Sequence, residues 1–392
     1  MKILMIAPEC FLLPRGTPLS ILQRLRALSI HGHQIDLITY PFGEDVNLPG
    51  LTIHRIRKLP GLREVKVGPS WKKIILDLLV FFKVVSFLGQ KNYDLVYSHE
   101  EAAYFGSFLA RFCGVRHLYD MHSSLPQQLS NFNFCNFAPI VGTFRWLEKQ
   151  AVCRSDTILV VYPQLQNHVN ALAPSKRVFL IENTDDLSKL DREEKKTETL
   201  RTTYNINGRK VVVYTGSFEP YQGLDLLLES ARLVVQENKQ VLFLCIGGSN
   251  REREKFQKLI HARQLDSYFI LPGIIPVDEV PAHLELADIL VSPRTKGTNT
   301  PLKIYSYLRA GRAIVATNLP THVQVLNPRV ALLTDPTPQA FAEGLVRALD
   351  NPELRQSLGQ GARKLAAEKY GYSTFLENIR AALDFVPETS DI

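Results

Sequence analysis

Short runs of apolar residues alternate with longer amphipathic stretches along most of the chain. In the first half, five apolar runs each end in a polar loop: KILMIAP, QIDLITY, YDLVYSH, RHLYDMH and DTILVVYP. The spacing of apolar residues between them predicts helices over 19–29, 71–87, 101–112 and 141–152. Apolar strands that alternate with helices are typical of a parallel sheet covered on both faces, which binds its ligands beyond the carboxyl ends of its strands.

The alternation starts again after a charged stretch over 183–210 that is poor in large apolar residues. The apolar runs there are KVVVYTG, VLFLCIGG, SYFILPG, ADILVSP and RAIVAT, and helices are predicted over 224–237, 251–263, 279–285, 302–309 and in the tail after 338. This pattern predicts an α/β chain of two Rossmann-like αβα domains with a cleft between them. The predicted boundaries are a first domain over 1–185, a linker over 186–210, a second domain over 211–370, and a C-terminal helix over 371–392 that packs back on the first domain.

Composition and charge narrow the class of protein. The 392 residues are too many for one ordinary core, and 45% hydrophobic with 22% charged residues is typical of a folded globular protein. The formal net charge of +7 favours acidic partners such as phosphorylated small molecules or anionic lipid. Nucleic acid is not expected, because the cations lie near predicted strand-end loops rather than along an aromatic-rich face. The five cysteines form no CxxC pair and no Cys/His cluster with zinc spacing, so no metal site is expected.

No segment predicts a membrane span or a cleaved leader. The N-terminal run MKILMIAPECF is short and is interpreted as a strand. The most apolar stretch, IILDLLVFFKVVSFLG, contains Asp77 and Lys83 and is shorter than the roughly 18–20 apolar residues that a span needs. We therefore expect a cytoplasmic protein.

Three loops of the first half carry candidate ligand-binding residues. Gly16 in PRGTPLS opens the first predicted helix, where it either contacts a ligand or only makes the turn. His122 in YDMHSS follows a strand, and either hydrogen-bonds to a sugar hydroxyl or is a surface or helix-capping residue. Glu100 and Glu101 follow another strand, and either orient hydroxyl groups or only begin a helix. The dinucleotide fingerprint G-x-G-x-x-G is absent after the first strand, which disfavours an NAD enzyme.

The second half concentrates glycines and cations in its strand-end loops. Gly216 and Gly247 follow strands, where they either let a phosphate approach main-chain N–H groups or only connect a strand to a helix. The segment SPRTKGTNTPLKIYSYLRAG gathers Arg294, Lys296 and Lys303 around a turn that leads into a helix. That arrangement predicts that this helix N-terminus binds an anion, most simply a phosphate.

Lys303 is expected in the first turn of this helix. We expect Thr300 to be the N-cap residue and Pro301 to be the first helical residue. A cation in the first turn costs the helix a few tenths of a kcal/mol to ~1 kcal/mol. Either a bound anion compensates for that cost, or Lys303 is only a solvated surface residue.

The glycine loop after the first strand, YTGSFEPYQGLDLLLESA and TPLKIYSYLRAGRAIVAT together resemble a glycosyltransferase of the GT-B fold, family 4, over nearly the whole chain. The resemblance implies an enzyme that moves a sugar, with hexosyl transfer expected, from a UDP- or GDP-sugar to an acceptor hydroxyl with retention of configuration. It implies no metal and no cofactor, and the chain accordingly has no D-x-D pair that would hold a divalent cation.

The resemblance also implies roles for individual positions. Gly16 would reach the donor phosphate and the acceptor, and His122 would contact the transferred sugar. Gly216 would begin the loop over the diphosphate, and Ser306 would lie near the ribose. The other donor-binding positions that we expect are Ser217, Gln222, Gly247, Gly297, Thr298, Asn299 and Thr300.

The sequence departs from the family pattern at charged positions. Ser217 and Gln222 stand where the family carries an Arg and a Lys that clamp the diphosphate, and Thr298 and Ser306 stand where it carries two glutamates. Either the cations of the 294–303 segment take over the lost charge, or the site has decayed. We favour the first interpretation, because decay would also remove the strand-end glycines and polar groups. The catalytic residues expected on this interpretation are His122, Arg294 and Lys303.

The acceptor is expected in the first domain. Basic residues over 57–73, in RKLPGLREVKVGPSWKK, adjoin the apolar helix that ends near Phe87. They suit a glycan or lipid-linked acceptor and peripheral contact with the inner face of a membrane, or they form only a solvated loop beside a buried helix. A nucleotide-sugar epimerase and a non-catalytic nucleotide-sugar-binding protein are the alternative functions.

Overall fold

The computed structural model describes residues 1–11, 16–60, 71–126, 138–184 and 194–385. The chain divides into two units. The N-terminal unit comprises Met1–Asn183 together with the C-terminal segment from Ser373 on, and the C-terminal unit comprises Thr184–Tyr372. Within the described residues, each unit is built on one parallel sheet.

The N-terminal unit has a seven-stranded sheet. Its strands are β1 (Lys2–Ala7), β2 (Gln34–Thr39), β3 (Leu51–Arg55), β4 (Leu95–His99), β5 (Arg116–Met121), β6 (Thr157–Val160) and β7 (Val178–Leu180). They pair in parallel in the order β3-β2-β1-β4-β5-β6-β7. The described helices among them are α1 (Gly16–Ile30), α2 (Trp71–Gln90), α3 (Ala102–Phe112), α4 (Ala138–Arg154) and α5 (Pro163–Leu172).

The C-terminal unit has a six-stranded sheet. Its strands are β8 (Lys210–Thr215), β9 (Val241–Ile246), β10 (Phe269–Gly273), β11 (Ile289–Ser292), β12 (Ala313–Thr317) and β13 (Ala331–Thr334), in the parallel order β10-β9-β8-β11-β12-β13. Its helices are α6 (Glu194–Thr203), α7 (Leu224–Glu237), α8 (Asn250–Ala262), α9 (Val280–Glu285), α10 (Lys303–Ala310), α11 (Pro320–Val323), α12 (Pro338–Asp350) and α13 (Pro352–Lys369). The last described helix of the chain, α14 (Tyr372–Asp384), follows it.

Successive side chains of the strands enter cores on opposite faces of the sheet. In β8, Val211 and Val213 pack in one apolar cluster, whereas Val212 and Tyr214 pack in another. Side chains of a strand alternate between the two faces, so both faces of this sheet are covered. This packing explains why the strands are continuous apolar runs. It confirms the prediction of an α/β chain with two Rossmann-like domains.

The predicted linker over 186–210 contains the helix α6. Thr197 of α6 donates a hydrogen bond to Glu285 at 3.2 Å, and the Tyr204 hydroxyl lies 2.9 Å from His283 Nε2. Because Glu285 and His283 belong to α9, the second half of this stretch is part of the C-terminal unit. The stretch was predicted to be a linker because it is charged and poor in apolar residues. The helix α6 has this composition because most of its described side chains are exposed.

The helix α14 packs within the N-terminal unit. The guanidinium carbon of Arg24, on α1, lies 5.0 Å from the centre of the Phe375 ring, and His31 lies 3.1 Å from the main-chain oxygen of Leu376. Among the described residues, no helix is both long enough and apolar enough to cross a membrane.

Candidate functional site

The loops that follow β8, β9 and β11 meet at the carboxyl edge of the C-terminal sheet. Gly216 follows β8, and its N–H donates to the main-chain oxygen of Ile246 at 2.9 Å. Gly247 follows β9, and a Cβ atom at this position would lie 2.1 Å from the Gly216 carbonyl oxygen. Only a glycine permits that approach. The two loops therefore pack main chain against main chain, with Ser217 next to them.

Lys303 lies beside this pair of loops. Its Nζ atom is 3.4 Å from Gln222 Oε1, 3.9 Å from the centre of the Tyr214 ring, and 3.4 Å from where a Cβ atom of Gly216 would stand. Burial lowers the pKa of Lys303 well below its usual range, and the neighbouring charge of Arg294 lowers it further. The ammonium group thus lies at the Gly216 turn and at Gln222, next to two of the positions where the family's cations are missing.

Arg294 organises the loop that follows β11. Its Nη1 atom donates to the main-chain oxygen of Asn299 at 2.8 Å and to the Thr321 hydroxyl at 3.1 Å. The guanidinium carbon lies 5.0 Å from the centre of the Tyr221 ring. The side chain is buried, which lowers the pKa of the guanidinium. Arg294 therefore uses part of its hydrogen-bonding capacity to hold the loop itself. The sequence did not predict this structural role.

Neither cation is neutralised within the described part of the chain. No described carboxylate lies within 4 Å of Arg294 or Lys303. Two neighbouring positive charges without a carboxylate partner are costly in a partly buried setting, and an anion offsets that cost. Lys296, the third cation of the segment, is exposed at the tip of the loop.

The expected capping of α10 is wrong. The helix begins at Lys303, and Leu302, not Thr300, precedes it as the N-cap residue without a side-chain cap hydrogen bond. Thr300 is buried, and its hydroxyl has no hydrogen-bond partner within the described structure. Pro301 lies before the helix and accepts from the N–H of Ile304 at 3.0 Å. The helix starts later because this tight turn precedes it.

The remaining predicted donor residues lie around the same edge. Gly297 packs against Arg294, whose guanidinium carbon would lie 2.9 Å from a Cβ atom there. Thr298 is exposed, and its carbonyl oxygen accepts from Gln324 Nε2 at 2.8 Å. Ser306 is half-buried one turn after Lys303, on the same face of α10.

In the N-terminal unit, His122 directly follows β5 and lies against a buried carboxylate. Its Nε2 atom is 3.2 Å from Asp120 Oδ1. The Oδ2 atom of Asp120 accepts from Arg24 Nε at 3.2 Å and from the Tyr97 hydroxyl at 2.8 Å. Burial would raise the pKa of Asp120, but the charges of His122 and Arg24 outweigh it and hold that pKa well below its usual range. His122 is 7% exposed, so it is not the surface histidine of the alternative interpretation.

His99 completes this buried group. His99, Asp120 and His122 offer potential metal-ligand atoms within 4.8 Å of one another. Burial lowers the pKa of His99 to about 3, so its ring is neutral. The Arg24 guanidinium already pairs with Asp120 and repels a further cation, so the arrangement fits a hydrogen-bonded network better than a metal centre. The sequence did not indicate this group, because His99 is far from Asp120 and His122 along the chain. The pairing of β4 with β5 brings the three residues together.

Other candidates of the N-terminal unit are placed as follows. Gly16 is the first residue of α1, and the residues just before it lie outside the described part of the chain. Glu100 accepts from the Ser123 hydroxyl at 3.0 Å. The sequence placed Lys73 among the basic residues that would face an anionic surface, but its Nζ atom instead pairs with Glu101 at 2.6 Å. The middle of the basic stretch, 61–70, lies outside the described residues.

Sequence reasoning missed the aromatic and polar residues that hold the cations in place. Tyr214 and Tyr221 lie under Lys303 and Arg294, and Asp120 and Arg24 lie behind His122. Tyr214 is an aromatic residue at the end of an apolar run, directly before the Thr-Gly turn. That position is the signal in the sequence that could have identified Tyr214 as a site residue. Asp120 is a charged residue inside the apolar run RHLYDMH, which marks it as a buried carboxylate with a partner.

Comparison with known proteins agrees with this arrangement. Residues 16–184 match the model of a glycosyl transferase 4-like domain, and residues 196–365 match the model of glycosyl transferases group 1. Alpha-D-kanosaminyltransferase of Streptomyces kanamyceticus is 25% identical over 280 residues, which cover 69% of this chain and 71% of the relative. Phosphatidyl-myo-inositol mannosyltransferase of Mycobacterium tuberculosis is 22% identical over 98% of this chain and 97% of its own.

Solved structures with the same fold span both chains almost completely. Sucrose-phosphate synthase from Thermosynechococcus elongatus superposes with a TM-score of 0.80 at 17% identity, covering 98% of each chain. Anabaena HepE, in complex with UDP and glucose, superposes with a TM-score of 0.77 at 15% identity, covering 98% of this chain and 99% of its own. With two parallel αβα units, a glycine and cation site at one strand edge, and family models that match most of its length, the chain belongs to the family 4-like glycosyltransferases of the GT-B fold.

Proposed function

We propose that the protein transfers a hexose from a nucleoside diphosphate sugar to an acceptor hydroxyl, with retention of configuration. The observation that carries the proposal is the pair of cations Arg294 and Lys303, neither of which has a carboxylate partner within the described residues, with Lys303 at the Gly216–Ser217 turn. This is the chemistry that a diphosphate leaving group requires, because its negative charge grows as the glycosidic bond breaks.

In the proposed reaction, the C-terminal unit stabilises the leaving diphosphate. Lys303 contributes a positive charge, and Arg294 contributes a second charge while it holds the 294–299 loop. The positive end of the α10 helix dipole adds a third source of positive potential. These groups replace the Arg and Lys that the family carries at Ser217 and Gln222, and no metal is needed to balance the diphosphate.

His122 is proposed to hydrogen-bond to the transferred sugar. Asp120, itself held by Arg24 and Tyr97, keeps the imidazole in one orientation. Fixing the sugar in this way brings the reacting carbon into the geometry for attack. The acceptor hydroxyl attacks on the face from which the phosphate leaves, and its proton passes to the departing phosphate oxygen. This route gives retention.

The donor is proposed to be a UDP- or GDP-sugar. HepE of Anabaena, which shares the fold, was solved with UDP-glucose, so UDP-glucose is the first donor to test. Ser306 takes the place of an acidic residue near the proposed ribose position. A hydroxyl makes fewer and weaker hydrogen bonds to a ribose than a carboxylate does.

The acceptor is proposed to be a glycan or a lipid-linked molecule that the N-terminal unit receives at a membrane surface. The helix α2 supports this, because Ile74, Ile75, Leu78 and Phe82 lie on it and are each 53–59% exposed. Exposed apolar side chains next to the cation of Lys72 are suited to anionic lipid. Flotation of the protein on phosphatidylglycerol vesicles tests the contact, with the Leu78→Ser/Phe82→Ser variant as the matched control. Absence of flotation at low salt contradicts it.

The decisive experiment is incubation with a panel of UDP-, GDP- and ADP-sugars, followed by analysis of both the nucleotide and the sugar. Release of nucleoside diphosphate with hydrolysis or transfer supports the transferase, and the anomeric configuration of the product tests retention. Binding without turnover supports a nucleotide-sugar-binding protein, and an isomerised donor without nucleotide release supports an epimerase. Either of these two results overturns the proposal.

A further inference from the structure

A second group of cations lines a cavity at the opposite edge of the C-terminal sheet. The cavity measures about 620 Å³. Its charged lining residues are Asp288, Arg312, Arg355, Arg363 and Lys364. Asp288 and Arg312 directly precede β11 and β12, whereas the proposed donor site follows the carboxyl ends of the strands. Five residues of β12 span about 16 Å, so this cavity is separate from the donor site.

Three arginines are held in place around the cavity by main-chain oxygens. Arg312 Nη2 donates to the oxygen of Glu285 at 2.9 Å, and Arg363 Nη2 donates to the oxygen of Ala310 at 3.2 Å. Arg355 Nη1 donates to two carbonyl oxygens at the end of α12, at 2.6 Å each. Each guanidinium carries five N–H donors, so most of them remain available to a ligand. The arginines are thus oriented before any ligand arrives.

No described carboxylate pairs with these three arginines. Asp288, the one acidic residue of the lining, is 3.2 Å from Lys210 Nζ and accepts from the N–H of Val211 at 2.9 Å. Burial lowers the pKa of Arg312, the carboxylates of Glu285 and Asp288 oppose this effect, and the charges of Arg363 and Arg201 add to it by smaller amounts. The lining carries four cations and one carboxylate, and although Lys364 Nζ lies 3.8 Å from Glu368 Oε1, the lining keeps a net positive charge.

Small residues give the cavity its concave shape. Arg355, Gly359, Arg363 and Ala367 recur every four residues on one face of α13. A Cβ atom at Gly359 would lie 2.4 Å from the Gly311 carbonyl oxygen, and one at Gly311 would lie 2.5 Å from Arg363 Nε. The glycines let α13 approach the turn before β12 closely, so the two arginines of this face flank a gap.

We propose that this cavity binds a phosphate-bearing ligand with at least two negative charges. Guanidinium groups bind phosphate oxygens in pairs of parallel hydrogen bonds, and their planar shape suits phosphate better than chloride or another spherical anion. A soluble diphosphate or sugar phosphate and a phosphate-bearing lipid headgroup share this chemistry. The inference does not depend on the proposed function, because the cavity lies apart from the donor residues.

The test is a calorimetric titration with inorganic pyrophosphate. All proteins carry Lys303→Ala, which weakens pyrophosphate binding at the proposed donor site. In this background, Arg312→Gln/Arg363→Gln is compared with Lys255→Gln/Lys258→Gln, which removes the same charge from exposed positions of α8. We expect the arginine variant to bind pyrophosphate at least about tenfold more weakly, since each charge-assisted hydrogen bond contributes about one such factor, and the lysine variant to bind normally.

A second arm separates the two sources of phosphate. The same proteins, all carrying Leu78→Ser/Phe82→Ser to remove the proposed membrane contact of α2, are floated on phosphatidylcholine vesicles with and without phosphatidic acid. Flotation that the arginine variant loses identifies a lipid phosphate, and pyrophosphate binding without flotation identifies a soluble one. If the arginine variant does not fold, by circular dichroism, Lys364→Gln replaces it and is expected to weaken binding severalfold. Absence of binding in both arms, or equal binding by the arginine and lysine variants, overturns the proposal.

Discussion

The ammonium group of Lys303 lies 3.9 Å from the centre of the Tyr214 ring, whose hydroxyl donates to the main-chain oxygen of Ser217 at 2.6 Å. The face of an aromatic ring attracts a cation without neutralising its charge. Tyr214 therefore holds Lys303 at the Gly216–Ser217 turn and also fixes that turn. A single buried side chain couples the cation to the loop that is proposed to bind the diphosphate.

Replacement of Lys303 by Ala is expected to lower kcat/KM at least about tenfold and to weaken binding of the nucleoside diphosphate. The variant removes a charge next to the leaving group, and losses of this size follow removal of one such stabilising group. Initial rates and calorimetry with the active donor measure the effect. Lys296→Ala, at the exposed tip of the same loop, is the matched control. Equal losses in the two variants would contradict the assignment.

Nucleotide binding is expected to depend on pH through Lys303. In the free protein its pKa is lowered by burial and then by Arg294, so the amine is neutral over part of the range below 10.5. A bound diphosphate raises that pKa, and binding in this range therefore takes up a proton. Affinity for the nucleotide should therefore fall as the pH rises through this range. Calorimetry in buffers of different ionisation enthalpy counts the protons, and the Lys303→Met variant should take up fewer.

Replacement of His122 by Ala is expected to reduce turnover at least about tenfold while affinity for the free nucleotide stays unchanged. His122 is proposed to contact the sugar, whereas the nucleotide is bound by the C-terminal unit. His261→Gln changes an exposed histidine of α8 and serves as the control. A His122→Ala variant that loses nucleotide affinity as well would show that this residue acts on the diphosphate instead.

Asp77 should make the N-terminal unit less stable as the pH rises. Burial, with the charge of Glu101, raises the pKa of Asp77 from 3.8 to about 7. The folded state binds this proton more tightly than the unfolded state, so the free energy of unfolding falls as the pH rises from about 4 to 7, by a few kcal/mol in order of magnitude.

Asp77→Asn removes this charge and keeps an oxygen acceptor for the Tyr40 hydroxyl. The variant should be more stable than the natural protein at pH 8, with a smaller difference at pH 4.5. Both tryptophans, Trp71 and Trp146, lie in the N-terminal unit, so their fluorescence in urea reports on that unit. Glu44→Gln, which removes a carboxylate charge from an exposed position of the same unit, is the control. A stability difference independent of pH would refute the role of Asp77.

Turnover is expected to be unchanged by exhaustive treatment with EDTA. The charges of Lys303 and Arg294 are proposed to balance the diphosphate, so no divalent cation is required. The rate is measured before and after chelation and after addition of Mg²⁺, Mn²⁺ or Zn²⁺. Loss of activity that only Zn²⁺ restores would direct attention to His99, Asp120 and His122.

The fold could be predicted from the sequence because its main signal is local. Continuous apolar runs that alternate with amphipathic helices require a parallel sheet with two covered faces, and the helix α7 has the predicted bounds. The strands β3, β7 and β13 were missed. Each lies at the edge of its sheet, is five residues or shorter and is only partly buried, so its apolar pattern is weak.

The site could be predicted only in part. The glycines at 216 and 247 and the cations of the 294–303 segment lie together, because all follow strand ends at one edge of a parallel sheet. The prediction that Thr300 is the N-cap residue was wrong. Thr followed by Pro is locally favoured at a helix start, but a tight turn at Pro301 comes first and the helix begins at Lys303. Lys73, assigned to a basic surface, instead pairs with a glutamate that follows another strand.

The sequence by itself determined the type of most elements and the strand ends at which charge and glycine are concentrated, because these depend on neighbours a few residues apart. Only the tertiary structure decided which charges are neutralised. Asp120 is paired by Arg24, 96 residues away along the chain, whereas Arg294, Lys303 and the arginines around Gly311 meet no described carboxylate. Coulomb interactions depend on distance in space and on burial, and neither can be read from the order of residues.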